Sequence, residues 1–191
     1  MKIEQSFDVA HPADAVWRAL SDVGLVARCM PGAELTGEEN GTHTGRIKVK
    51  LGPIAAAFSG KATVTLDDAA REGVVEGSGT DGGSGSRASA RLTYSVQATG
   101  DTASHVAIDS EIKLAGALAQ FGRSGIVKDV ARQLTEAFAD NLHATLSAAE
   151  QEAPAPPVTQ EIHGFQLIIS VILRRIEAAF RRLFGRGAPE G

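Results

Sequence analysis

Between residues 33 and 113, apolar and polar residues alternate in successive short runs that are separated by turn residues. In GRIKVKL (45–51) the large apolar side chains occupy every second position, and RLTYSVQA (91–98) repeats the pattern. A period of two is typical of strands with one buried face. Turn sequences such as Glu39-Asn40-Gly41 and Gly100-Asp101 fit tight connections between antiparallel neighbours. The region is therefore predicted to be an antiparallel meander of about six strands.

Helical segments flank this meander. Lys2–Val9 alternates like a strand, and two short helices are predicted after it, the first following Pro12 and the second ending before Met30-Pro31-Gly32. Beyond the meander, apolar residues recur at steps of three and four, which predicts one long amphipathic helix that starts at Leu118 or Ile126 and ends near residue 149. The apolar faces of sheet and helix must cover each other. The predicted fold class is therefore α+β, with a curved antiparallel sheet of about seven strands wrapped round the long helix.

A proline-rich stretch follows the long helix. Residues 150–161 contain Pro154, Pro156 and Pro157 and show no period of 2 or 3.6, so they are predicted to be a semi-stiff linker. The predicted organisation is a domain at 1–149, this linker, an amphipathic helix at 162–186 and a disordered tail at 187–191.

The predicted helix at 162–186 is apolar on one side and cationic on the other. Its apolar stretch is far shorter than the ~20 residues that a spanning helix needs, so we expect it to lie on an anionic membrane surface. Docking on a partner protein, folding back on the body and pairing with a second copy remain alternatives. The residues predicted to bind the membrane are Phe165, Ile169, Ile172, Arg174, Arg175, Ile176, Phe180, Arg181, Arg182 and Leu183.

Charge is distributed unevenly along the chain. Five arginines against two glutamates give residues 162–191 a charge of +3, and since the net charge is −4, residues 1–161 carry −7. The acidic body argues against nucleic-acid binding. Cys29 is the only cysteine, and the N-terminus lacks the unbroken apolar stretch of a secretory signal. We therefore expect a cytoplasmic protein that is peripheral at the inner face of the cytoplasmic membrane.

Motifs for catalysis, metal binding and nucleotide binding are weak in this sequence. Residues 77–82 match G-x-G-x-x-G, but a strand pattern follows where the dinucleotide fingerprint needs a helix, so a glycine-rich hairpin is favoured. The five histidines show no metal-ligand spacing. No catalytic residue, metal or intrinsic cofactor is predicted; Tyr94 and, less clearly, His143 are the candidate acid/base groups.

The predicted interior is rich in Ala and Gly, which leaves volume that a long helix need not fill. A ligand cavity and plain close packing are both compatible with this pattern. If there is a cavity, the Tyr94 hydroxyl is the group expected to hold a ligand carbonyl. The residues predicted to contact an apolar ligand are Trp17, Phe58, Tyr94, Val96, Leu118, Phe121 and Phe138.

Several stretches resemble one known family. DVAHPADAVWRALSDVGLVARCMPGAELTG (8–37), GPIAAAFSGKATV (52–64) and IKLAGALAQFG with LTEAFADNL (112–142) are similar to the CoxG family of carbon monoxide dehydrogenase subunits, of the START-like helix-grip superfamily. The resemblance implies a helix-grip fold with an apolar cavity between sheet and long helix. It also implies an accessory role that attaches a molybdenum-containing dehydrogenase to the cytoplasmic membrane.

Two classes of function follow from these observations. The first is a non-catalytic accessory protein with an apolar, lipid-like ligand; if the partner passes electrons to the membrane pool, a quinone is the natural guest. The second is a small-molecule enzyme, since other helix-grip proteins resemble cyclases and dehydratases. A stand-alone lipid-transfer module is a third reading.

Overall fold

The structure, a computed structural model, describes residues 1–51, 54–123 and 125–152. The predicted amphipathic helix, its membrane-binding residues and the tail beyond it lie outside the described residues, as does the linker from residue 153 onward. The predictions for those segments stay predictions.

Seven strands and four helical segments make up the described residues. The strands are β1 (Lys2–Val9), β2 (Ala33–Glu39), β3 (Thr42–Leu51), β4 (Ile54–Asp67), β5 (Glu72–Asp81), β6 (Arg87–Gly100) and β7 (Ala103–Ala115). The helices are α1 (Ala13–Ser21), α2 (Val23–Cys29), a 3₁₀ helix (Gly116–Arg123) and α3 (Ile126–Glu152). Of the two starting points that the sequence leaves open for the long helix, Leu118 lies in the 3₁₀ helix, and α3 begins at Ile126.

Local signals account for the two short helices. Pro12 precedes α1, and its carbonyl accepts hydrogen bonds from the amides of Ala15 and Val16 at 2.9 and 3.1 Å. The Asp22 side chain caps α2 by accepting from the Leu25 amide at 2.9 Å. The chain then leaves α2 through Gly32, whose φ of +75° suits glycine.

The strands form one antiparallel sheet in the order β1-β7-β6-β5-β4-β3-β2. The first strand pairs with the last, so that Lys2 lies opposite Glu111 and Val9 opposite Ser104. All other neighbours are consecutive in the chain, which is the meander that the turn spacing predicts.

Glycine allows the strands to approach each other closely in the strongly coiled part of the sheet. A Cβ atom on Gly60 would lie 2.0 Å from the Ser78 carbonyl oxygen of the neighbouring strand. At Gly73, a Cβ atom would lie 2.2 Å from the Tyr94 ring, which covers the missing side chain. Curvature of the sheet therefore depends on side chains that are absent.

Helix α3 packs inside this curve. It contacts β1 near one edge of the sheet and β3 near the other, together with α1 and α2. The main apolar cluster joins α1, α2 and α3 to β6 and β7, and is centred on fully buried Val16, Val106 and Leu142. A second cluster lies around Ala56 and Leu118. The predicted α+β fold, with the sheet wrapped round the long helix, is confirmed.

Candidate ligand-binding cavity

An apolar cavity of about 500 Å³ lies between the sheet and α3. Strands β3 to β6 supply much of its wall, α3 supplies Thr135 and Phe138, and α2 supplies Val23, Val26 and Ala27. Phe138 and Tyr94 belong to the main cluster and Phe58 packs against the second, so the cavity lies between two packed regions of the core. A volume of this size is in the range that small-molecule sites occupy.

The cavity exists because two rows of small residues cross the sheet beneath it. In the first row Gly45 lies opposite Gly60, Gly60 opposite Gly79, and Gly79 opposite Ala88. In the second row His43 lies opposite Ala62, Ala62 opposite Gly77, and Gly77 opposite Ala90. Seven of these eight positions carry no more than a methyl group, so the central strands do not reach the helix.

The structure brings three of the seven predicted ligand-binding residues to the cavity wall: Phe58, Tyr94 and Phe138. Trp17 and Val96 are buried in the main cluster and do not line the cavity. Leu118 and Phe121 belong to the second cluster, behind the wall. The period of two identifies inward side chains but not which of them face open volume.

Tyr94 is held differently from the expectation for a ligand-binding hydroxyl. Its Oη donates to the Leu20 carbonyl oxygen at 3.0 Å, and burial raises the pKa of Tyr94 to about 12. The ring lies over Gly73 and beside Trp17, with 6.0 Å between the centroids of the two aromatic side chains. Its proton is therefore committed to the main chain, and the ring forms wall.

The other acid/base candidate lies outside the cavity. His143 is exposed on α3, and its ring is 5.1 Å from that of buried His11. His11 in turn has its Nε2 at 3.3 Å from the Ser147 hydroxyl. This pair joins α3 to the segment before α1 and contributes nothing to the cavity wall.

A buried carboxylate fixes the turn at one end of the cavity. Asp81 accepts hydrogen bonds from the Ala57 amide at 2.8 Å, the Ser84 amide at 2.8 Å and the Ser84 hydroxyl at 2.6 Å. These bonds, the hydroxyl first, lower the pKa of Asp81 to about 2. Because Asp81 lies opposite Phe58 in the sheet, the turn holds that aromatic wall residue in place.

Sequence reasoning misses several wall residues. Gly77 and Gly79, which the sequence suggests are part of a hairpin, lie within β5 and line the cavity. His43, one of five histidines without metal-ligand spacing, lines the cavity too. Leu35 lines it while 42% exposed, so the cavity reaches the surface beside β2. The signal that was available is the alignment of small residues at every second position on adjacent strands.

Two further properties of the described residues bear on function. No group of three His, Cys, Asp or Glu side chains within 1–51, 54–123 and 125–152 is arranged to hold a metal ion. In the same ranges, no helix has the length and hydropathy to cross a bilayer.

Comparison with known proteins identifies relatives of this arrangement. The family model that describes CoxG, a subunit of carbon monoxide dehydrogenase, matches residues 6–147. No curated protein matches the chain at a significant level. Among solved structures, a conserved protein from Geobacillus kaustophilus is similar with a TM-score of 0.69 at 14% identity, over 78% of this chain and 97% of that one.

Two other solved structures are similar at comparable coverage. The ZhuI aromatase/cyclase from Streptomyces sp. R1128 has a TM-score of 0.58 at 17% identity, over 82% of this chain and 99% of that one. A START superfamily protein from Mycobacterium smegmatis has a TM-score of 0.53 at 13% identity, over 78% of this chain and 98% of that one. At these identities the likeness shows a shared START-like helix-grip fold and no shared activity.

Proposed function

The chain belongs to the CoxG family of carbon monoxide dehydrogenase subunits, and we propose that it is a non-catalytic accessory protein whose cavity binds an apolar, lipid-like ligand. The observation that carries this proposal is the cavity itself, about 500 Å³ of space walled by apolar side chains between two packed clusters. Protein interiors are close-packed, and walls that face empty space lose their contacts. A resident apolar molecule would restore those contacts.

We further propose that the predicted helix at 162–186 attaches the protein to the cytoplasmic face of the membrane. The support is its apolar stripe and its paired arginines, Arg174 with Arg175 and Arg181 with Arg182. Each arginine near an anionic leaflet contributes about 1 kcal/mol, screened by salt. Attachment is therefore expected to be reversible and sensitive to ionic strength.

The family name assigns its members to a carbon monoxide dehydrogenase. We propose a molybdenum-containing dehydrogenase as the partner, with the acidic body as the docking unit. An enzyme of this kind must pass its electrons on, and a membrane quinone is an apolar acceptor of a size suited to the cavity. In this proposal the protein brings dehydrogenase and quinone together in support of electron transfer.

An enzymatic role of the cyclase or dehydratase kind is less well supported. Such a reaction needs acid/base groups that face the substrate. The Tyr94 hydroxyl is bonded to the main chain, and His143 lies outside the cavity. The likeness to ZhuI is one of fold alone.

Two measurements on the full chain test the proposal. Organic extracts of protein purified from its native membrane-containing lysate are analysed by mass spectrometry, and co-sedimentation is measured with neutral vesicles and with vesicles that contain anionic lipid. We expect an apolar molecule in the extract and sedimentation that requires the anionic lipid.

A variant in which Arg174, Arg175, Arg181 and Arg182 are all replaced by glutamine is the matched control. It keeps the body intact, so it should retain the extracted molecule while losing sedimentation. An empty extract from both proteins would remove the carrier role, and equal sedimentation of both would remove the assignment of membrane binding to the arginines. Co-elution with the purified dehydrogenase, lost at high salt, tests the partner.

A further inference from the structure

One polar atom faces the apolar cavity without a partner. The Nδ1 atom of His43 is buried and has no hydrogen-bond partner among the described residues, and it is the only side-chain nitrogen or oxygen there with both properties. His43 also lines the cavity. Buried polar groups in proteins are nearly always hydrogen-bonded, so an exception in the wall of a binding cavity calls for an explanation.

The neighbours of His43 do not supply that partner. Across the sheet, its row continues with Ala62, Gly77 and Ala90, none of which carries a polar side chain. The main-chain groups of these strands are used in the sheet ladder. A water molecule beside Nδ1 would find few of the two to four partners that a buried water needs. The vacant hydrogen bond is therefore best matched by a polar atom of a bound molecule.

We propose that His43 Nδ1 hydrogen-bonds the polar end of the ligand, which makes the ligand a molecule with a carbonyl or hydroxyl group on an otherwise apolar frame. This inference rests on the proposed binding function of the same cavity. A neutral imidazole donates from Nδ1 in one tautomer and accepts there in the other. One residue therefore serves a carbonyl and a hydroxyl equally, as the oxidised and reduced forms of a quinone would require.

The two small-residue rows suggest how such a ligand lies. A flat head group fits over Ala62 and Gly77, where no side chain rises above a methyl group, with its oxygen at His43. The apolar remainder then follows the row of Gly45, Gly60 and Gly79. A purely hydrocarbon ligand would fill the same space and leave Nδ1 unsatisfied.

The test compares two probes of similar size and shape on the full chain. The probe 2-methyl-1,4-naphthoquinone carries carbonyl oxygens, and 2-methylnaphthalene lacks them. Binding of each is measured by calorimetry or by quenching of Trp17, the only tryptophan in the chain. In His43→Phe, which keeps a ring but removes both nitrogens, we expect the quinone to bind about tenfold more weakly and the hydrocarbon to bind no more weakly than before.

Controls separate this inference from the function on which it rests. His105→Phe changes a histidine that pairs with Asp8 and does not line the cavity, so both affinities should be unchanged. If neither probe binds the unaltered protein, the proposed carrier function fails. If both bind and His43→Phe weakens the two equally or not at all, the carrier function stands and the role of His43 is wrong.

A second measurement does not depend on a substitution that folds. The ¹⁵N resonances of the His43 ring should shift when the naphthoquinone is added and should stay in place when the hydrocarbon is added at equal occupancy. Equal shifts with both probes would overturn the proposed hydrogen bond. His43→Gln, which keeps a donor and an acceptor, should retain part of the preference for the quinone.

Discussion

Filling the cavity from Gly77 is the most direct test of where the ligand binds. A Cβ atom on Gly77 would lie 3.5 Å from the Ala62 Cβ and 3.6 Å from the Lys61 carbonyl oxygen, both ordinary contact distances. Its φ is not in the left-handed region. Gly77→Leu therefore places four carbon atoms in the cavity without forcing the neighbouring strand to move.

The magnitude follows from the apolar surface that the ligand gives up. At about 0.8 kcal/mol per buried carbon, the four carbons of the new side chain displace about 3 kcal/mol of ligand contact. Since about 1.4 kcal/mol is a factor of ten, the Kd of an apolar ligand should rise about 100-fold. Without ligand the variant should be no less stable, because a strand glycine costs roughly 0.5–1 kcal/mol relative to alanine.

Fluorescence titration with 2-methyl-1,4-naphthoquinone and thermal unfolding of the ligand-free protein are the assays. Thr80→Leu is the matched control, since it adds a leucine to the exposed face of the same strand and should leave Kd unchanged. A Kd for Gly77→Leu within a factor of two of the unaltered value, with Tm maintained, would refute the placement of the ligand. A fall in Tm of several degrees would instead show that the cavity wall is already close-packed.

Three further predictions concern the walls of the cavity. Leu142→Ala removes a side chain that is 0% exposed and should cost about 2–5 kcal/mol in denaturant unfolding; an effect below about 1 kcal/mol would contradict its place in the core. Tyr94→Phe removes the hydroxyl that donates to the Leu20 carbonyl and should cost about 1–3 kcal/mol, and because the folded pKa of Tyr94 is raised to about 12 from 10.0, stability should fall as pH rises from about 10 to 12, less so in the variant. Asp81→Asn should lower Tm near neutral pH, and because the folded pKa of Asp81 is lowered from 3.8 to about 2, its contribution should be lost as pH falls through that interval; identical acid unfolding of the two proteins would contradict this.

The fold is largely predictable from the sequence because the signals that specify it are local. Alternation in β3 and β6, turn residues between strands and the stop at Met30-Pro31-Gly32 each depend on neighbours a few positions apart. The order of elements then leaves few ways to cover a half-apolar sheet with one apolar helix. That reasoning needs no knowledge of which strands face which part of the helix.

The cavity is harder to predict because it depends on register across strands. Trp17 and Val96 are inward by period and pack against neighbours, whereas Phe58 is inward by period and faces open space. The difference lies in whether residues on adjacent strands are large or small, and a single sequence does not give the pairing. His43 escapes sequence reasoning for the same cause, since its isolation appears only when Ala62 and Gly77 are known to flank it.

The glycines in the two rows do not all have the same cause. Gly60 and Gly45 are required by the backbone, because Cβ atoms there would lie 2.0 Å from the Ser78 carbonyl oxygen and 2.8 Å from the Glu34 carbonyl oxygen. Gly77 has no such constraint and sits in the interior of a strand, where glycine is unfavourable for stability. The coiling of the sheet therefore explains the first two residues and leaves Gly77 unexplained. Space for a ligand beside His43 accounts for Gly77, because any larger side chain there would occupy the cavity.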